Sequence, residues 1–151
     1  MVTRRGPWSE SEIRNFLEEV TIPLRLAVTK PDGSLWIVAL WFRYQDDYLE
    51  CATGANADLV RFLEANQRVG FDVSTNEVPY RGIRGSGHVS LTPDTQLDLL
   101  RSLIRRYLGD TESTLAQQLL MTERDEVRIR IKPEAIFSWD FSKRMRDVSA
   151  A

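Results

Sequence analysis

The chain has 151 residues, 42% of them hydrophobic and 28% charged, which is enough for one domain with a sizeable core and too little for two independent ones. Twenty Lys and Arg against 22 Asp and Glu leave a formal charge of -2, so the basic footprint that nucleic-acid binding needs is missing. Cys51 is the single cysteine, which excludes an internal disulfide and a Cys-rich zinc site; with no signal peptide or membrane-spanning run near the N-terminus, a cytoplasmic protein without resident metal, membrane or nucleic-acid partner is expected.

Residues 1–151 read as one domain, and periodicity sets its organisation. Ser9 to Glu12 form a capping-box pattern, and Ile13, Phe16, Leu17 and Val20 follow at helical spacing, which predicts a helix over about residues 10–20. Ile22, Leu24, Leu26 and Val28 alternate, the turn Pro31-Asp32-Gly33 follows, and the run from Leu35 to Phe42 completes a predicted hairpin. That second strand is apolar on both faces, so one face meets the core and the other a ligand, a helix or a partner subunit. A third strand is predicted at Tyr48 to Ala52.

From Ala57 to about Gln67 the pattern is helical. The start of this helix is either an anion site, through its unpaired N–H groups and dipole, or an ordinary start capped by Asn56. Strands are predicted at Val69 to Val73 and Ile83 to Leu91. Thr92-Pro93-Asp94-Thr95 then opens a helix whose Leu97, Leu100, Ile104, Tyr107 and Leu108 form a packing stripe. A short helix at Leu115 to Leu120 precedes a last predicted hairpin, in which Val127, Ile129 and Ile131 alternate with cations and Pro133-Glu134 turns the chain into Ala135 to Phe141. The whole predicts an α+β fold, a split β-barrel of about six or seven mostly antiparallel strands with peripheral helices.

The segment from Pro79 to His88 is the most suggestive of chemistry, since it sets two arginines, three glycines and the only histidine side by side. Arginine offers a planar fork matched to phosphate or carboxylate, and glycine admits a ligand or another backbone. The competing reading is a glycine-kinked hairpin whose arginines face water. His88 is either a substrate contact or a packed strand residue, and Cys51 reads as a small core residue.

The helix, the strand V-A-L-W-F (Val38–Phe42), the strand end A-T-G (Ala52–Gly54), the helix R-F-L-E-A-N-Q-R-V, the strand G-F-D-V-S-T-N, the segment P-Y-R-G-I-R-G-S-G and the closing R-I-R-I-K-P-E-A-I-F-S-W-D-F together resemble the pyridoxamine 5′-phosphate oxidase-like split β-barrel family. The resemblance covers nearly all of residues 10–145. It implies a homodimer that binds FMN in clefts between its subunits, with a deazaflavin coenzyme, heme or no cofactor as the family's other arrangements. It implies an oxidoreductase that moves a hydride to or from a small, planar or phosphorylated substrate; the alternative is a non-catalytic binding protein for flavin, heme or another anion. By position it implies that Val38, Leu40 and Trp41 line the ring, that Ala52 and Thr53 touch the ring edge and ribityl chain, that the helix start from Gly54 to Asp58, with Asn56, faces the phosphate, and that Arg81, Arg84 and Trp139 complete the cofactor site. The chain departs from the family at Asn56-Ala57-Asp58-Leu59, where a Ser/Arg/Lys cluster is usual, which leaves three outcomes: Arg81, Arg84 or Arg144 supplies the cation for a phosphate, the cofactor is a different flavin, or the cleft is empty.

Overall fold

The computed structural model describes residues 1–121 and 125–148. Its elements are β1 (Thr3–Arg5), α1 (Glu10–Glu19), β2 (Leu24–Thr29), β3 (Leu35–Leu40), β4 (Phe42–Gln45), β5 (Tyr48–Gly54), α2 (Asp58–Ala65), β6 (Arg68–Ser74), β7 (Arg81–Pro93), α3 (Asp98–Leu108), α4 (Thr114–Leu119) and β8 (Glu126–Asp140). The strands form one sheet in the order β3-β2-β6-β7-β8-β5-β4, with β1 alongside β8. All pairings are antiparallel except that of β1 with β8. The two ends of this path, β3 and β4, are separated in the chain by Trp41 alone. The sheet therefore curls until its ends meet at that residue, and there they diverge to pair with β2 and β5 respectively. This is a split barrel.

Alternation supplies the interior. Leu24, Leu26 and Val28 of β2, Val69, Phe71 and Val73 of β6, and Ile129 and Ile131 of β8 are buried together with Phe42, Leu49, Cys51 and Ile83. Helix α1 adds Ile13, Phe16 and Leu17, and α2 adds Leu59, Phe62 and Leu63. The capping box starts α1 as predicted: the Ser9 hydroxyl accepts from the Glu12 N–H at 3.2 Å and the Glu12 carboxylate from the Ser9 N–H at 3.3 Å. At its other end α1 carries no basic residue, and Arg106 of α3 reaches across to donate to the carbonyls of Leu17 (2.7 Å), Glu18 (2.8 Å) and Val20.

Four predicted features take a different form. The run from Leu35 to Phe42 is two strands, because the chain changes partners at Trp41. Pro133-Glu134 does not turn the chain, and β8 runs unbroken past it. Gly87 pairs with Pro133 and Ser86 with Ala135, so Glu134 is the extra residue of a bulge, which accommodates a proline that cannot donate to the ladder. The bulge also shifts the side-chain phase, so that Ile129, Ile131 and Pro133 face inward before it and Ile136 and Ser138 after it.

Thr92-Pro93 ends β7 instead of opening a helix. The cap comes from Asp94, whose carboxylate accepts from the N–H groups of Leu99 and Leu100, both at 2.9 Å, across a turn in which Gln96 and Leu97 adopt positive φ. Helix α2 begins after Ala57 without a side-chain cap, so Asn56 does not cap it. The eighth strand, β1, was absent from the sequence expectation. No helix among the described residues is long and apolar enough to cross a membrane.

Candidate functional site

The residues predicted to hold a cofactor fall into separate regions of one chain. Arg81 and Arg84 lie three apart on a strand, and a period of two sends them to opposite faces. Arg81 sits over the Phe16 ring at 5.2 Å, on the core side. Arg84 lies on the outer face, 4.7 Å from the Phe137 ring centre and 5.1 Å from that of Trp139. Strand register builds this arrangement, since Arg84 pairs with Phe137 and Gly82 with Trp139.

Around Arg84 the outer face forms a groove of about 690 Å³ whose wall includes Phe137, Trp139, Phe141, Lys143 and Arg144. Phe137 and Trp139 are alternate residues of β8, so strand geometry sets them along one side, and Phe141 follows just beyond the strand's end. Arg144 covers the Phe141 ring at 4.8 Å. None of Arg84, Lys143 and Arg144 forms an ion pair among the described residues. The one carboxylate in the wall, Asp140, is occupied by the Trp8 indole at 3.2 Å and by the Ser142 hydroxyl and N–H. Burial pushes the Asp140 carboxyl up, but these donors outweigh it and hold the group below the usual aspartate range. Flat rings beside unpaired guanidiniums suit a planar ligand with an anionic group. A second hollow of about 510 Å³ adjoins through the shared Arg84 and Phe137, floored by the small residues Ala27, Gly70, Ser86 and Ala135.

Leu40, Trp41 and Ala52 meet elsewhere, in a cavity of about 360 Å³ under α3 and α4. Trp41 stacks on Tyr107 of α3, ring centres 5.2 Å apart and nearly parallel at 6°. The Tyr107 hydroxyl is fixed in turn, donating to the Ile22 carbonyl at 2.9 Å and accepting from the Phe42 N–H at 3.2 Å. Leu97, Leu100 and Ile104 of the predicted stripe pack here with Ala116, against Trp41 and Ala52. Val38 does not join them: its side chain packs on the barrel core, so what it presents outward is backbone. Thr53 and Gly54 continue the strand beyond Ala52, half-buried, and Asn56 is exposed. Asp58 is paired with Arg61 at 2.5 Å, both exposed, so this carboxylate is turned to solvent beside a cation.

His88 belongs to neither hollow. It is on the outer face, half-exposed, with its Nδ1 against the Glu134 carboxylate at the bulge. Cys51 is fully buried in the core, where burial, with the Glu50 carboxylate adding to it, pushes its thiol up. The glycines of the arginine segment serve the sheet. A Cβ on Gly85 would collide with the Ala135 carbonyl and lie 2.7 Å from the Phe71 ring, and those on Gly82 and Gly87 would also strike neighbouring backbone. The close approach they permit is that of another strand.

Sequence reading missed one polar cluster. Glu50, 2% exposed, receives Arg43 at 2.9 Å, Arg128 at 3.4 Å and Arg130 at 3.6 Å from the flanking strands β4 and β8. Arg128 also reaches Asp94 at 3.8 Å. Alternate Arg128 and Arg130 beside a strand glutamate was the available signal. The cluster sets three guanidiniums about Glu50 and Asp94 and ties three strands together. Among the described residues no group of three or more His, Cys, Asp or Glu is placed to hold a metal.

No protein-family model matches the chain, and neither does any curated protein. Solved structures do. A conserved hypothetical protein from Mycobacterium tuberculosis, Rv2991, is 24% identical over 91% of this chain and 88% of its own, with a TM-score of 0.74. An F420 reductase is 26% identical over 81% of this chain and 94% of its own, with a TM-score of 0.66. HutZ, the heme storage protein of Vibrio cholerae, is 20% identical over 85% and 92%, with a TM-score of 0.62. These proteins share the split-barrel fold described here.

Proposed function

We propose that two copies of this chain bind a flavin-type cofactor, FMN or a deazaflavin, in crevices between them, and that the protein is an oxidoreductase of the pyridoxamine 5′-phosphate oxidase-like family acting on a small molecule. The observation that carries this reading is the division of the predicted site. Leu40, Trp41 and Ala52 line one hollow while Arg84 and Trp139 line another, so a second copy is the simplest means of bringing the two sets to one ligand. The outward side chains of β3 support it. Leu35 is 77% and Ile37 71% exposed, on a strand with a partner on one side only. The 26% identity to an F420 reductase supports a cofactor of this class.

Within this reading Arg84, with Lys143 and Arg144, supplies the cations that Asp58 does not, and grips the anionic group of the cofactor. Trp139 and Phe137 hold Arg84 in place and exclude water beside it. Trp41, locked by Tyr107, presents a fixed apolar edge to the ring. When bound, such a cofactor supplies hydride chemistry, and the protein needs no side-chain nucleophile. Heme fits less well, because the only histidine of the chain is engaged with Glu134 outside both hollows and offers them no axial ligand.

The test is what co-purifies. The absorbance spectrum and the mass of the released species are expected to be those of a flavin or deazaflavin, and the holoprotein is expected to be reduced anaerobically by NAD(P)H or a reduced deazaflavin. A Soret band, or a colourless protein that takes up neither cofactor, would contradict the reading.

A further inference from the structure

We infer that the outer face of β4, β5 and β8 holds a binding site for a compact phosphate dianion, distinct from both hollows of the flavin reading and independent of it. Strand register builds the site. On β8, Arg128, Arg130 and Lys132 alternate with the buried Ile129 and Ile131 and therefore share the outer face. Glu50 of β5 stands between two strands of cations, directly opposite Arg43 of β4 on one side and Arg130 of β8 on the other. Its carboxylate receives Arg43 at 2.9 Å, Arg128 at 3.4 Å and Arg130 at 3.6 Å, so three guanidiniums are gathered about one anion. Like charges brought this close repel, and one carboxylate does not balance three guanidiniums. None of these cations lines the hollows that hold Trp41 or Arg84.

The charge balance leaves a place for a second anion. Arg43, Arg128, Arg130 and Lys132 stand against Glu50 and Asp94, a surplus of two positive charges, and no other described carboxylate pairs with these four. Asp94 reaches only Arg128, at 3.8 Å, and already accepts from the N–H groups of Leu99 and Leu100. The donors are also fixed in advance. Arg43 and Arg130 approach Glu50 through Nε, and their terminal nitrogens hydrogen-bond no described group. Arg130 lies 3.8 Å from the Tyr48 ring centre, and its Nε is enclosed without a hydrogen-bond partner. Side-chain exposures of 21% for Arg43 and 39% for Arg130 keep part of each in reach of solvent. Packed stems with accessible forks are suited to phosphate oxygens. Because the forks converge on one carboxylate, they select a compact anion over an extended polyanion whose charges are strung along a chain.

NMR of the protein as purified, at about pH 8 where phosphate is a dianion, reads the site through the Tyr48 ring and the Glu50 amide. Inorganic phosphate is expected to shift both signals saturably, and sodium chloride at matched ionic strength to give no saturable shift. Arg43→Gln and Arg130→Gln are each expected to weaken the phosphate at least about tenfold at these signals, whereas Arg84→Ala, in the other hollow, is expected to leave them unchanged. Ser90, exposed on β7 directly opposite Arg130, offers a variant that breaks none of the ion pairs. Ser90→Glu sets a carboxylate beside the site and is expected to abolish the shift, which keeps the test intact where an arginine variant does not fold. Phenyl phosphate identifies the source: tighter binding than inorganic phosphate assigns the site to an organic phosphate ester, and equal or weaker binding assigns it to free phosphate. A response that fails to saturate, that chloride reproduces, or that survives Arg130→Gln or Ser90→Glu unaltered would overturn the inference.

Discussion

Arg84 is held over two aromatic rings and forms no ion pair among the described residues, since Asp72, opposite it on β6, accepts from the Ser74 hydroxyl; this leaves its donors available to an anion. Arg84→Ala is expected to remove a charge-assisted bond, of about 1.5–3 kcal/mol, and to weaken flavin binding roughly tenfold to a hundredfold in an equilibrium titration. Arg81→Ala, on the other face of β7, is expected to leave that affinity unchanged. Gly85→Ala drives a methyl into the Ala135 carbonyl and the Phe71 ring and is expected to cost about 1–3 kcal/mol by denaturant midpoint, while Gly54→Ala enters open space and is expected to be tolerated on steric grounds. Cys51, buried and with its thiol pushed up, is expected to resist maleimide labelling until the chain unfolds. Asp140 carries the pH dependence. Its folded pKa lies below the unfolded one, so its contribution to stability is present above the ordinary aspartate value and is lost as pH falls towards the lower folded value; carboxyl NMR titration of the wild type and of Ser142→Ala, in which the pKa moves up, checks this.

At the scale of elements, α3 is the piece on which both the fold and the site depend. Its Arg106 closes α1, its Tyr107 fixes Trp41, and its leucines roof the apolar cavity. Arg106→Ala strips donors from three carbonyls at the end of α1 and is expected to destabilise by about 1.5–3 kcal/mol, read as a lower denaturant midpoint with an unchanged m-value. Which elements could be read from sequence follows from how local their signals are. The Ser9–Glu12 box and the alternation of β2 are each determined within a few residues and form where the spacing puts them, whereas the α3 stripe is helical only from Leu100 onward, Leu97 lying before the helix with positive φ. Pro133 misled because a missing N–H reads as a turn, while the bulge that absorbs it is made with Gly87 some 45 residues away. Strand β1 carries no alternation and exists only through its register with β8. For the site, the i, i+3 spacing of Arg81 and Arg84 already implied opposite faces and was the one legible signal overlooked, whereas the meeting of Leu40 and Ala52 with α4 is non-local and had no signature.

The molecule as a whole is a barrel left open along the seam where β3 and β4 part, with its most apolar exposed strand on one lip. Such an edge is a liability for a monomer and an asset for a symmetric pair. Ile37→Asp, exposed in a single chain, is expected to leave the barrel folded yet separate the copies and release the cofactor. Sedimentation velocity followed at the cofactor's absorbance puts the central claim to its most direct test. The colour is expected to travel with a particle of twice the 17.4 kDa chain mass in the wild type and to be lost from the single-chain species formed by Ile37→Asp. Colour migrating with a single wild-type chain, or a wild-type pair that carries none after incubation with FMN and deazaflavin, would contradict it.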